Sequence, residues 1–170
     1  MNTSRLRPFI VAFILSYATA GLGGALTELG PWYYALRQPD WKPPDAAFGI
    51  VWTTIFTLCA ISGALAWQAA DAAVLRRRVL VLFGLNAVLN ILWSALYFKL
   101  QRPDWALVEV VLLWLSIVAL IVGLWRLSRG ASALLLPYLV WVTIASFLNL
   151  ATVQLNGPFQ VSSLGPLAGA

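Results

Sequence analysis

Tryptophan is the side chain with which this sequence can do most chemistry. Trp52, Trp93 and Trp141 fall inside long apolar runs, and Trp32, Trp41 and Trp52 mark a stretch that is neither plain apolar helix nor plain polar loop. An indole presents a large flat face and one N–H donor, a surface on which another flat group can stack. Other reactive types are sparse. The chain has no His, which removes the commonest metal ligand and the usual general base. Cys59 is alone, so neither an internal disulfide nor a thiolate cluster can form. Glu109, Asp104 and Cys59 have no partner at a fixed spacing, so no nucleophile–base pair supports a hydrolase.

The elements that position these indoles start from residues 32–52, with Pro31 just ahead. This stretch holds Trp32, Tyr33, Tyr34, Trp41 and Trp52, the prolines Pro39, Pro43 and Pro44, and the cations Arg37 and Lys42. Proline fixes φ and removes a donor, so none of the three fits inside a regular helix. Gln38 and Lys42, which precede prolines, are pushed to extended geometry. The expectation is a stiff aromatic loop over residues 28–45 that runs into a helix after Pro44. Such a loop loses less entropy on ordering than a Gly/Ser-rich one. It suits a lid over something flat and apolar.

Composition sets the class. Hydrophobic residues make up 61% of the 170 residues and charged ones 10%, and the mean hydropathy is +0.84. A soluble domain carries roughly 25% charge. The reading is an all-α integral membrane protein, a single domain over residues 1–170, with helices at about 8–27, 46–70, 79–98, 104–127 and 132–155. Arg5 and Arg7 before the first apolar run resemble a signal peptide, but the run exceeds a usual h-region and more spans follow, so it is read as a helix. The net charge of +5 belongs to helix ends and points to topology, with no nucleic-acid partner.

Within the spans, Ala20 with Gly24 and Gly21 with Ala25 are small-residue pairs that permit close helix approach, as are Ala60 and Ala64. Trp52 and Phe56 share one face of the second helix. Arg76, Arg77 and Arg78 read as a loop anchor beside anionic lipid. Asn86 and Asn90 share a face of the third helix; Asn86 reads as interhelical glue, and Asn90, near Trp93, as cavity wall. Trp105 and Trp125 lie about 30 Å apart along the fourth helix and fit the two aromatic belts. Glu109, one turn inside Trp105, is expected to be held by the helix N-terminus or a neighbouring Arg. Ser132 reads as the N-cap of the fifth helix, with Pro137 bending its first turns. Trp141, Ala145 and Asn149 form one face, a large ring beside a notch.

Five spans put the termini on opposite sides. Seven of the eleven cations (Arg5, Arg7, Arg76, Arg77, Arg78, Arg126 and Arg129) fall on the N-terminal side. The positive-inside rule therefore places the N-terminus in the cytoplasm and the aromatic loop and C-terminus opposite.

The segments WYYALRQPDWKPPDAAFGIVW, LNILWSALYF, PDWALVEV and PYLVWVTIASFLN resemble, in order, the tryptophan-rich sensory protein / translocator protein (TspO/MBR, peripheral benzodiazepine receptor) family. The W-x-P-P element followed by F-G-x-V-W is the specific part. The resemblance implies a five-helix bundle, often dimeric, whose cavity beneath the first loop binds tetrapyrroles, sterols and synthetic aromatic ligands. It places pocket residues on Trp41, Pro43, Pro44, Trp52, Asn90, Trp93, Trp105, Trp141, Ala145 and Leu148, and associates Trp52 and Trp141 with porphyrin chemistry. Two departures stand out. The last helix reads LNLATVQLNGPF, with Leu150 where a sterol motif has Tyr and no following cation. The stretch TELGP before Trp32 lacks an Arg that some members have, so anionic contacts fall to Arg37 or Lys42.

A porphyrin is a flat aromatic plate with two carboxylates. Its site needs stacking faces, a narrow apolar slot and cations at the mouth. Trp52, Trp93 and Trp141 can supply the first; Ala145 and the Gly-rich first helix the second; Arg37 and Lys42 the third. Tyr33 and Phe56 complete the candidate lining. With no His, and Met only at position 1, the usual axial haem ligands are missing, which favours a free-base ring or haem without strong iron ligation. Three function classes follow: a receptor, sensor or carrier for tetrapyrroles or lipid-like molecules; a weak porphyrin-degrading enzyme using Trp52 and Trp141; and a secondary transporter, ranked last because no internal repeat is visible.

Overall fold

The computed structural model describes residues 3–159. The described residues form helices joined by short connections, with no strand. In order they are α1 (Thr3–Leu26), α2 (Pro31–Ala35), α3 (Asp45–Ala69), α4 (Ala73–Ser94, continued by a π turn at Ala95–Lys99), α5 (Pro103–Trp125), α6 (Arg129–Ala133) and α7 (Leu136–Asn156). Five segments are long and apolar enough to cross a membrane: Leu6–Leu26, Asp45–Ala69, Ala73–Lys99, Pro103–Trp125 and Arg129–Asn156.

Boundaries differ from the sequence expectation where caps and prolines decide them. The third span begins at Ala73, so Arg76, Arg77 and Arg78 lie in its opening turns and not in a loop. Arg is a good helix former, and nothing in the run interrupts the backbone bonds. The fifth span is two helices. Ser128, not Ser132, caps α6 by accepting from the Ala131 N–H at 3.2 Å. Ser132 instead donates to the Ile121 carbonyl at 2.7 Å. Pro137 sits in the first turn of α7, where its missing N–H is tolerated, and the chain breaks before it. The aromatic loop carries the short helix α2, which starts at Pro31.

The core lies among α3, α5 and α7, around Ile55, Val110, Leu113, Ile117, Tyr138, Trp141 and Val142. A second cluster packs α6 against α3, α4 and α5 around Ala66, Leu120, Leu124, Ala131 and Leu135. Ala60 and Ala64 are buried, as their spacing suggests. Helix α1 is peripheral: only 6% of its apolar window is buried, and it touches α3 and α4. The small pairs on α1 do not pack as expected. An added Cβ at Gly21 or Gly24 meets nothing within 4 Å, whereas at Gly23 it lies 3.6 Å from Ser94 Oγ and 3.8 Å from Asn90 Oδ1. The close approach therefore belongs to Gly23, on a face outside both expected pairs.

Candidate functional site

The aromatic loop is clamped at both ends. The Arg37 N–H donates to Asn156 Oδ1 at 2.7 Å, and Asn156 Nδ2 donates to the Arg37 carbonyl at 2.8 Å. The Lys42 ammonium pairs with Asp45 in the first turn of α3. It also stands 5.7 Å from the Tyr33 ring and 5.6 Å from the Phe48 ring. Burial opposes the charge on Lys42, but the hydrogen bond to Asp45 and the attraction of Tyr33 outweigh it and hold the ammonium above the usual lysine range. Burial pushes the Tyr33 phenol above its ordinary value, partly opposed by Lys42. Tyr33 is buried, and its ring lies 5.8 Å from Phe98 in the π turn. Trp32 meets Tyr97 of the same turn edge-on at 6.3 Å. The π turn thus offers a ring surface on which α2 rests.

Below this lid, rings fill the space between α3 and α7. Trp52 lies 5.7 Å from Phe56 and 6.0 Å from Tyr138. Phe48 meets Trp141 edge-on at 5.4 Å. Trp93 Nε1 donates to Asn149 Oδ1 at 3.3 Å, and Asn149 Nδ2 donates to the Pro103 carbonyl at 2.9 Å. Asn86 bridges α4 to α5 by donating to Ser116 Oγ at 2.8 Å, the glue its position suggested. Asn90 donates to the Tyr138 hydroxyl at 3.1 Å.

Glu109 departs from expectation. No Arg holds it, because Arg102 pairs with Asp104, its Nε 2.8 Å from Oδ1. Both Glu109 carboxylate oxygens are buried without a hydrogen-bond partner among the described residues, and the same holds for Trp141 Nε1. The helix N-terminus is also out of reach, since Asp104 occupies the first turn.

A cavity of about 610 Å³ lies between α1, α3 and α4, with Tyr138 of α7 at its inner wall. Its lining runs from Arg7, Trp67 and Val79 on the N-terminal side to Thr19, Phe56 and Asn90 near mid-membrane. Of the candidate residues, Phe56 and Asn90 line it; Trp52 adjoins it through its contacts with Phe56 and Tyr138. Trp93, Trp141, Ala145 and Leu148 sit on the loop-side part of the bundle, with Trp141 buried and Ala145 and Leu148 half-buried. Pro43 is half-buried, and Pro44 is the exposed N-cap residue of α3. Trp41 and Trp105 are exposed, and the Arg102 guanidinium lies 4.1 Å from the Trp105 ring. Sequence reasoning missed Tyr138, Gly63, Phe83, Gly84 and Arg7 as lining. Tyr138 could have been found, since it lies one turn before Trp141 on the same face of α7. Among the described residues no cluster of three His, Cys, Asp or Glu side chains is placed to hold a metal ion.

The TspO/MBR family profile matches residues 9–155. The chain is 42% identical over 130 residues to "Tryptophan-rich protein TspO" of Chlorobaculum tepidum, covering 74% of this chain and 80% of that one. It is 34% identical over 148 residues to "Protein CrtK" of Rhodobacter capsulatus, covering 87% and 92%. To the "Translocator protein" of Homo sapiens it is 31% identical over 121 residues, covering 69% and 70%. The chain belongs to the TspO/MBR family and is an integral, multi-pass membrane protein.

Proposed function

We propose that this TspO/MBR family member is a membrane receptor or carrier that binds tetrapyrroles and other flat apolar molecules in the bundle interior, beside Trp52, Phe56 and Tyr138. The observation that carries this reading is the cavity of about 610 Å³. That volume lies within the roughly 300–1,000 Å³ usual for small-molecule sites. Its inner wall is aromatic, and Phe56, Phe83 and Trp67 offer apolar faces to a flat ring. Cations on the N-terminal side support a cytoplasmic N-terminus, and the exposed apolar faces of the spans leave room for a second copy of the chain in a homodimer.

The test is titration of protoporphyrin IX into the purified protein, in detergent and in lipid nanodiscs, read by quenching of tryptophan emission. The expected result is saturable quenching at one site per chain, with affinity reduced about tenfold in Phe56→Ala, the order of one lost aromatic contact plus its buried area. Quenching that rises linearly with porphyrin in both media would overturn the reading.

A further inference from the structure

The charged mouth of this cavity is not at the aromatic loop. Resting on the ligand reading above, we propose that Arg7 recognises the ligand's carboxylate. The ligand, an amphiphile with a flat apolar body and an acid group, then slides in between α1 and α4 from the N-terminal side and leaves its acid at that surface.

Four observations carry this. First, the cavity lining includes Arg7 and no acidic residue, and neither Arg37 nor Lys42 belongs to it. Second, the loop-side cations are differently engaged. Lys42 is tied to Asp45, and the backbone of Arg37 is fixed by Asn156 while its side chain is exposed. Arg7, like the Arg37 side chain, makes no salt bridge among the described residues, and of the two only Arg7 lines the cavity. Third, four polar side chains of the wall already donate within the protein: Ser16 to the Phe56 carbonyl, Thr19 to the Leu15 carbonyl, Asn86 to Ser116 and Asn90 to Tyr138. A carboxylate only accepts, so these four offer it little, whereas the guanidinium fork offers it a charged, bidentate match that the single Tyr138 hydroxyl cannot. Fourth, the slot is open where a plate must pass. A Cβ added at Gly84 meets nothing within 4 Å, and one at Gly63 reaches only ordinary contact with Phe83 at 3.8 Å. The lips beside it, Leu15 and Leu80, are exposed toward lipid.

The experiment compares protoporphyrin IX with its dimethyl ester, titrated into nanodiscs holding wild type, Arg7→Gln, the double variant Arg37→Ala with Lys42→Ala, and Gly84→Leu. Arg7→Gln is expected to weaken the acid about five- to tenfold, as for one charged hydrogen-bonded contact, and to leave the ester within about twofold. The loop double variant is expected to leave the acid-to-ester ratio unchanged. Gly84→Leu is expected to weaken acid and ester alike by at least about tenfold with an unchanged melting midpoint, because its side chain enters the slot and not the packed core. An unchanged ratio in Arg7→Gln, or a shifted ratio in the loop double variant, overturns the assignment of Arg7 while leaving porphyrin binding itself intact. Full affinity in Gly84→Leu overturns the route between α1 and α4. Absence of saturable binding of either compound to wild type brings down the ligand reading, and this inference with it.

Discussion

The two halves of the bundle are built on different principles. On the loop side, rings interlock: Phe48 on Trp141, Trp52 on Tyr138, Trp93 on Tyr97, with Asn149 and Asn156 fastening backbone across long sequence distances. On the N-terminal side, α1 leans against α3 and α4 with small residues between them and about 610 Å³ of space. Most of the tryptophans named from sequence belong to the first half. An aromatic-rich segment can therefore serve a binding site by rigidly bounding it, while glycines and a peripheral helix make the room. Close-packed rings resist deformation, whereas a helix held along one stripe can shift at little cost.

This contrast breaks most sharply in stability. Trp141→Ala removes a buried ring from the interlocked half and is expected to cost about 3–5 kcal/mol, the usual range for a large aromatic in a core that cannot collapse. Phe83→Ala, on the wall of the cavity, is expected to cost less than about half as much, since Phe83 already borders open space. Melting midpoints of the two variants in one detergent decide the matter; equal losses would mean that both halves are packed alike.

Glu109 sharpens the comparison at intermediate size. It is a buried carboxyl on the inner face of α5, without a partner, in the half that also leaves Trp141 Nε1 and Gln38 Nε2 unpaired. Replacing an unpaired buried polar group by an apolar one of similar volume removes a desolvation penalty of about 1–3 kcal/mol. Glu109→Leu is thus expected to raise the melting midpoint. A lower midpoint would show that the carboxyl has a partner that holds the helices together.

Much of the fold could be read from the chain because each span must satisfy its own backbone in lipid, and about 20 apolar residues between polar breaks have few other options. Trp52 beside Phe56, Asn86 as interhelical bridge and the buried Ala60 and Ala64 followed from helical spacing alone. The cavity did not. A wall facing an apolar pocket and a wall facing acyl chains use the same residues, so α1 carries no mark of which face is inward. That is why Gly23, and not Gly21 or Gly24, makes the close approach. Arg7 failed to stand out for a related reason: a cation before a first span reads as a topology signal, and only the helix packing sets it at a cavity rim. The Ser128 cap was masked by Ser132, which has the same chemistry four residues on, until the Ile121 carbonyl claimed the second hydroxyl.

The smallest expected effect concerns how each half responds to pH. Lys42 is held above its ordinary value of 10.5, so the stability it lends to the docked loop is complete below that pH and is lost as pH rises through its folded value. Tyr33 acts in the same direction. Its buried phenol resists ionisation above the ordinary 10.0, and alkaline solution ionises the undocked chain first. The loop should therefore loosen above about pH 10. The pair is partly exposed and screened, so the effect is expected to stay below about 1 kcal/mol. It can be read from limited proteolysis of the loop between α2 and α3 from pH 8 to 11, in wild type and in Lys42→Met. The expected outcome is a rise in cleavage with pH in wild type that Lys42→Met reduces to the share that Tyr33 contributes, starting from a higher baseline because the tie to Asp45 is gone. If Lys42→Met shows the same baseline and the same alkaline rise as wild type, the ammonium does not hold the loop. The loop side would then owe its order to ring packing and to the Asn156 clamp alone.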